Sequence, residues 1–314
     1  MTDHSGNGDC NRRSLLNALS VAILVLASMG MLTGCGGGSG SSGGSGSSGG
    51  SNTGTIQIVG FPTAYPTIQA AINAAKPGDT VLVGDGTFTG DGNRDVDFLG
   101  KSLTLRSQDG ATSTIIDCQA SASDPHRGLY IHGVDAATVD GFTIKNGFAP
   151  TGATDGSSDN AGGAYVAASQ VTLKNCVFTD NQAFGPVGMN GSGGGAEIIS
   201  AVSCTVANCT FNGNVSTEAG SGVYVSGSGT ATMTGCRFAG NTVERQGQPS
   251  GTGGGAYVGA EGVCAVSTCT FIGNTAAGGG GAQIVASRCA VTGCTFSGNS
   301  AGSDSVGGAV ILAG

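Results

Sequence analysis

The densest grouping of chemistry-bearing side chains is GDGNRDVDF (90–98), which sets Asp91, Asp95 and Asp97 around Arg94. Clustered carboxylates can hold Ca2+. A calcium ion beside an arginine base is equipment for removing a proton next to a sugar carboxylate, the chemistry of a uronate lyase. The spacing is not that of an EF-hand loop, and a solvated turn ahead of a strand accounts for the same residues. The three aspartates are a metal candidate only under the lyase reading, and no metal is assigned. His126 and His132 lie six apart with no accompanying motif and read as surface or turn residues. Lys145 and Lys174 read as outward-pointing strand residues. No nucleophile stands beside a recognisable base, so no catalytic residue is assigned and the reading leans away from an enzyme.

The 314-residue chain has 61 glycines, only 7 prolines and no tryptophan. Glycine at that level, without a three-residue period, describes a chain that turns often and not a collagen-like one. The net charge of −8 argues against nucleic acid as a partner.

Five segments share one pattern: NCVFTDN (175–181), NCTFNGN (208–214), GCRFAGN (235–241), TCTFIGN (268–274) and GCTFSGN (293–299). Their cysteines form one column, and two residues on lies a phenylalanine column: Phe178, Phe211, Phe238, Phe271 and Phe296. Three further lies an asparagine column: Asn181, Asn214, Asn241, Asn274 and Asn299. Apolar positions alternate, skip two residues and alternate again, as in strands meeting at a corner. A second motif precedes each segment: GGAYV (162–166), GGAEI (194–198), SGVYV (221–225), GGAYV (254–258) and GGAQI (280–284). It reads as a third strand entered through glycines at positive φ. The Cys-to-Cys periods of 33, 27, 33 and 25 residues specify a solenoid of short strands, three per coil, in which like residues stack on like. The expected fold is all-β, a parallel β-helix over 55–314. YPTIQAAINAAKPGDTVLV (65–83) should supply an amphipathic helix that caps its open end, within about 61–78, with Thr67 as N-cap and Pro77-Gly78 as the stop. GGAVILAG (307–314) begins a coil that has no polar cap within the sequence. Either it pairs with something or the chain is truncated.

These motifs, Gly-Gly-Ala-aliphatic paired with Phe-x-x-Asn, resemble the repeats of the polymorphic outer-membrane protein family. The coil pattern resembles the right-handed parallel β-helix, or pectin-lyase-like, superfamily, from about 162 to the end. DGFTIKNG (140–147) and GKSLTLRS (100–107) read as more degenerate coils. The superfamily includes polysaccharide lyases and hydrolases. The Asn-x-Asp, Asp-Asp, Gly-His-Gly and Arg-x-Lys set of its polygalacturonases is missing here.

At the other end, RRSLLNALSVAILVLASMGMLTGC (12–35) has a basic start, an apolar run and Leu32-Thr33-Gly34-Cys35. It resembles the bacterial lipoprotein signal, which implies that residues 1–35 form the signal region and that Cys35 carries the lipid and becomes the mature N-terminus. Residue 36 is Gly, and the resemblance then implies an outer-membrane or cell-surface address. Removing Asp3, Asp9, Arg12 and Arg13 leaves the net charge at −8. The Gly/Ser-rich stretch 36–54 reads as a flexible tether, whose first sixteen residues reach roughly 20–24 Å.

Nine cysteines remain beyond Cys10 and Cys35. An odd number cannot all pair within one chain. Buried free thiols acting as small apolar groups and disulfides between stacked coils both stay open. The Asn-to-Gly-Gly connection is long after Asn146, Asn181 and Asn241. Insertions at one corner protrude along one edge, and 182–192 and 242–252 would lie there. The reading that follows is a lipid-anchored, surface-displayed β-helix with an adhesive, glycan-binding or structural role. It would have no cofactor, and its partners would be the membrane and glycans or cell-surface molecules along the long-loop edge. The alternative is a lyase or hydrolase of acidic polysaccharide, with Ca2+ under that alternative alone.

Overall fold

The computed structural model describes residues 54–149, 160–185, 191–199, 201–302 and 307–313. They fall within one compact unit, Gly46–Gly314. The signal, Cys35 and nearly all of the tether lie outside the described residues. Among the described residues no helix is long and apolar enough to cross a membrane.

The chain winds into a parallel β-helix with three sheets, of 13, 8 and 6 strands among the described residues. The eight-stranded sheet holds the five Cys-x-Phe segments: Val177–Thr179, Thr210–Asn212, Arg237–Ala239, Thr270–Ile272 and Thr295–Ser297 follow one another in register after Thr143–Lys145 of the earlier coil. The Gly-Gly motif does not give a separate sheet. Its strand bends and runs straight into the next apolar segment, so Ala164–Lys174, Val223–Thr234, Ala256–Ser267 and Ala282–Thr292 are long single strands of the largest sheet. The third sheet lies instead just after the asparagine column, in two- to four-residue strands from Gln182–Ala183 to Ser300–Ala301.

Corner geometry explains the residues around each cysteine. Asn175, Asn208, Gly235, Thr268 and Gly293, immediately before the five cysteines, all have φ between 52° and 63°. Glycine and asparagine tolerate this left-handed region; threonine is strained there. Asp180, Gly213, Gly240, Gly273 and Gly298, immediately before the ladder asparagines, repeat the device.

The glycines of the Gly-Gly motif work differently from expectation. Positive φ falls on the residue ahead of the pair: Ala161, Gly193, Gly220, Gly253 and Gly279. The second glycine is needed for close approach. A Cβ on Gly195, Gly222 or Gly255 would land on the carbonyl of the next coil, with a ladder phenylalanine ring 3.0 Å away.

Ahead of the coils, Ile56–Ile58 pairs antiparallel with Thr80–Val83, and helix Ile68–Ala74 buries Ile68, Ala71 and Ile72 against this end. The Thr67 hydroxyl accepts from the amide of Ala70 at 3.1 Å. The Lys101 ammonium donates to the carbonyls of Ile72 and Asn73 at 2.8 and 2.9 Å, satisfying the helix C-terminus.

Candidate functional site

Three groups of residues are candidates: the inward columns, the acidic cluster and the outward face of the largest sheet. The columns are structural. The five phenylalanine rings stack with centroids 4.7–5.0 Å apart and planes within 7°. Four of them are buried, as are Asn181, Asn214, Asn241 and Asn274. Each of these four asparagines donates from Nδ2 to Oδ1 of the next at 2.9–3.1 Å. Those same Oδ1 atoms accept the preceding asparagine's backbone N–H at 3.0–3.1 Å. From Asn214 onward, Nδ2 also donates to a phenylalanine carbonyl one coil back. This satisfies a buried amide completely and leaves it nothing to offer a ligand. The phenylalanine column continues below Phe178 as Ile144, Ile116 and Phe88.

The cysteines divide between the two readings left open. Cys264 and Cys289, on adjacent coils with Cα atoms 4.3 Å apart, form a disulfide. Cys118, Cys176, Cys204, Cys209, Cys236, Cys269 and Cys294 are free thiols, all but the last buried. Burial alone pushes the Cys204 thiol up to about 12, so it stays protonated and inert.

The aspartates of 90–98 are engaged by separate partners. Asp95 binds the His126 Nδ1 atom through one oxygen and accepts the Arg127 amide at 2.8 Å through the other. Asp91 lies 3.6 Å from Arg94, whose guanidinium also meets Asp124 at 3.6 Å and the Cys118 carbonyl at 3.1 Å. Asp97 faces His132 at 3.4 Å and accepts the Leu99 amide. Among the described residues no three metal-ligating side chains converge. His126 also meets Asp124 at 3.1 Å, so both ring nitrogens are engaged. Lys145 pairs with Asp117 and Lys174 with Asp140, each at 3.3 Å and each one coil apart.

The third group is not among the sites expected from the sequence. On the strands that begin at the Gly-Gly motif, alternate residues face outward. Parallel register aligns one such position on every coil: Asp97, Tyr130, Tyr165, Glu197, Tyr224, Tyr257, Gln283. The signal was present, since this is the fourth position of the GGAYV and GGAEI motifs, and a motif position that varies among Tyr, Glu and Gln is not filling a core. Tyr224 and Tyr257 stack at 4.8 Å, and Tyr130 and Tyr165 lie 5.6 Å apart. The Arg127 guanidinium sits 5.3 Å from the Tyr130 ring centre and 5.5 Å from that of Tyr165, a cation over aromatic faces.

Glu197 occupies the gap between the two tyrosine pairs and is only 4% exposed. Burial raises its carboxyl to about 8; Arg127 pulls it back, and Glu218 pushes it further up. Desolvation likewise raises Glu218, against a lowering by Arg245. Glu218 stands on the segment leading into Val223–Thr234 and acts electrostatically on both Glu197 and Tyr224. Oε2 of Glu197 and Oε2 of Glu218 are buried and accept no hydrogen bond, and the same holds for Oε1 of Gln283 three coils further along the row. The arrangement thus sets partly exposed Tyr130, Tyr224 and Tyr257 along the row, with Tyr165 buried, and places acceptors lacking donors beside them. Beside it, 242–252 forms a hairpin in which Thr242–Arg245 pairs antiparallel with Gln248–Pro249. The insertion at 182–192 begins as strand Gln182–Ala183, with its middle outside the described residues.

Comparison with known proteins bears on the fold. No curated protein matches the chain. Two solved structures are similar to it. One is a pectate lyase, Pel9A, at 18% identity and TM-score 0.46, covering 72% of this chain and 56% of that one. The other is the pectin methylesterase of Aspergillus niger, at 14% identity and TM-score 0.37, covering 81% of this chain and 73% of that one. The chain therefore spans little more than half the length of the lyase. A family model described as the right handed beta helix region matches residues 87–312, most of the chain and every coil described above, and the chain belongs to that family.

Proposed function

We propose that this protein is a lipid-anchored, surface-displayed β-helix that binds glycans along the outward row Tyr130, Tyr165, Glu197, Tyr224 and Tyr257. The row itself carries the reading. The partly exposed edges and hydroxyls of Tyr130, Tyr224 and Tyr257 offer apolar and polar contact to sugar rings, and rigid aromatics make large contacts at little cost in conformational entropy. Other positions on the same sheet that face inward are filled by Ala, Val and Ile. The row lies just past the corner where the long connections enter, so the hairpin 242–252 forms one rim. The address rests on Cys35, the apolar run before it and the tether after it. The likeness of the Gly-Gly-Ala and Phe-x-x-Asn repeats to those of polymorphic outer-membrane proteins supports a display role.

A glycan array tests the binding. Wild type should retain a set of oligosaccharides that Tyr224→Ala and Tyr257→Ala lose, while deleting 242–252 weakens them. Binding untouched by the tyrosine substitutions would reject the row. The lyase alternative has its own assay, a calcium-dependent rise in unsaturated-uronide absorbance that Asp95→Ala or Arg94→Ala abolishes. On the present reading no such rise occurs on any polyuronide.

A further inference from the structure

We infer that the Glu197 gap in the tyrosine row is a subsite for an amino sugar, its ammonium group received by Glu197 and Glu218 and its ring by the outward edges and hydroxyls of the stacked Tyr224 and Tyr257. The inference rests on the glycan-binding reading of the row and narrows it to one class of sugar.

Three observations converge. The first is the pair of unmet acceptors: Oε2 of Glu197 and of Glu218 are buried without a donor. Buried acceptors are nearly always paired, and an unpaired one costs free energy until a donor arrives. The missing partner is therefore rich in N–H or O–H groups. The second is charge. Two carboxyls at the centre of the row offer a uronate no counter-charge. A cation that enters between them supplies the counter-charge a buried carboxylate needs to ionise. Arg127 pulls Glu197 in that direction but does not outweigh its burial, and it is seated over Tyr130 and Tyr165. The third is the precedent within the row. Its first tyrosine pair already holds a guanidinium over its faces, so the row is built from groups that bind cations. Tyr224 and Tyr257, stacked at 4.8 Å beside the acidic gap, repeat the aromatic half of that arrangement. A neutral sugar could donate to these oxygens; an ammonium both donates to them and lets Glu197 ionise.

The test is titration calorimetry at neutral pH with three probes: a β-linked glucosamine tetramer, its N-acetylated counterpart and a galacturonate tetramer. The glucosamine tetramer should bind about tenfold more tightly than the N-acetylated one, the scale of one desolvated charge contact. Glu197→Gln keeps the shape of the side chain and should erase that preference. Glu218→Gln should cut the preference in part, and it decides the question if Glu197→Gln does not fold. Tyr257→Ala should weaken both neutral and cationic probes. Equal or tighter binding of the N-acetylated or galacturonate tetramer would overturn the subsite, as would an undiminished preference in the two glutamine variants. If tyrosine-dependent binding persists in those cases, the row survives and only the sugar class falls. Absence of tyrosine-dependent binding to any glycan removes both.

Discussion

The coils before residue 149 and those from Gly162 to Gly302 have the same winding but different holding forces. The later coils repeat: ring on ring, amide on amide, at nearly constant spacing. Their inward columns are uniform, and four of their asparagines are wholly buried. The earlier coils share the register but not the residues, with Ile144, Ile116 and Phe88 where the phenylalanines would be. They bury a less regular apolar core, with Phe88, Phe98, Ile116, Phe142 and Ile144 in it, and add polar side-chain pairs: Arg94 to Asp91 and Asp124, His126 to Asp95 and Asp124, His132 to Asp97, Lys145 to Asp117. Repetition therefore marks construction, and departures from it mark places where other demands apply. The outward row crosses the two regions, running from Asp97 to Gln283, and its sharpest departure from uniformity is Glu197.

The comparison predicts unequal losses. Phe238→Ala, in mid-stack, should cost about 3–5 kcal/mol of unfolding free energy, because the neighbouring rings cannot close over the cavity. A loss under about 1 kcal/mol in chemical denaturation would mean that the stack is decorative. Next comes a pH effect. Glu197 has a folded pKa of about 8, above its unfolded value of 4.5. Between these values the unfolded chain has released the proton and the folded protein has kept it, so stability falls as pH rises through that window and levels off above it. The full loss is on the order of a few kcal/mol, and Glu197→Gln should flatten the slope of melting temperature against pH. An unchanged slope would place the carboxyl in water. His126→Ala removes two partly exposed polar contacts, to Asp95 and Asp124, and should cost only about 1 kcal/mol, far less than Phe238→Ala. The smallest effect has the opposite sign. Thr268 holds φ 52°, where its fellow corners carry Asn or Gly. Thr268→Asn should therefore raise stability by about 1 kcal/mol; a loss would show that the threonine hydroxyl does more than bond the Ser267 carbonyl.

Much of this architecture was legible in the sequence because stacking forces equivalence. When Phe211 lies on Phe178, selection for one ring is selection for the other, and the columns align by eye. The capping helix was legible from Thr67 and the spacing of Ile68, Ala71 and Ile72. The joined long strands and the shift of the third sheet were not, because a bend that preserves hydrogen bonding and one that ends a strand have the same alternation. The glycine pairs misled for a similar reason: composition does not distinguish a residue needed for its φ from one needed for its size. Asp95 and Asp97, which meet His126 and His132, lie some thirty residues away in sequence, on the preceding coil, so local spacing could not reveal those contacts. The row itself was within reach. The Tyr and Glu of GGAYV and GGAEI stand at one motif position, but the strand period alone does not show that this position forms a continuous face.

The most direct test sets the two kinds of tyrosine and phenylalanine position against each other. The doubly substituted Tyr224→Ala/Tyr257→Ala protein should be measured for melting temperature and on a glycan array beside wild type. Our account predicts a melting temperature that falls far less than that of Phe238→Ala, together with loss of the bound oligosaccharides. Retained binding, or a collapse in stability as large as that of the phenylalanine variant, would show that the outward row belongs to the building and not to its use.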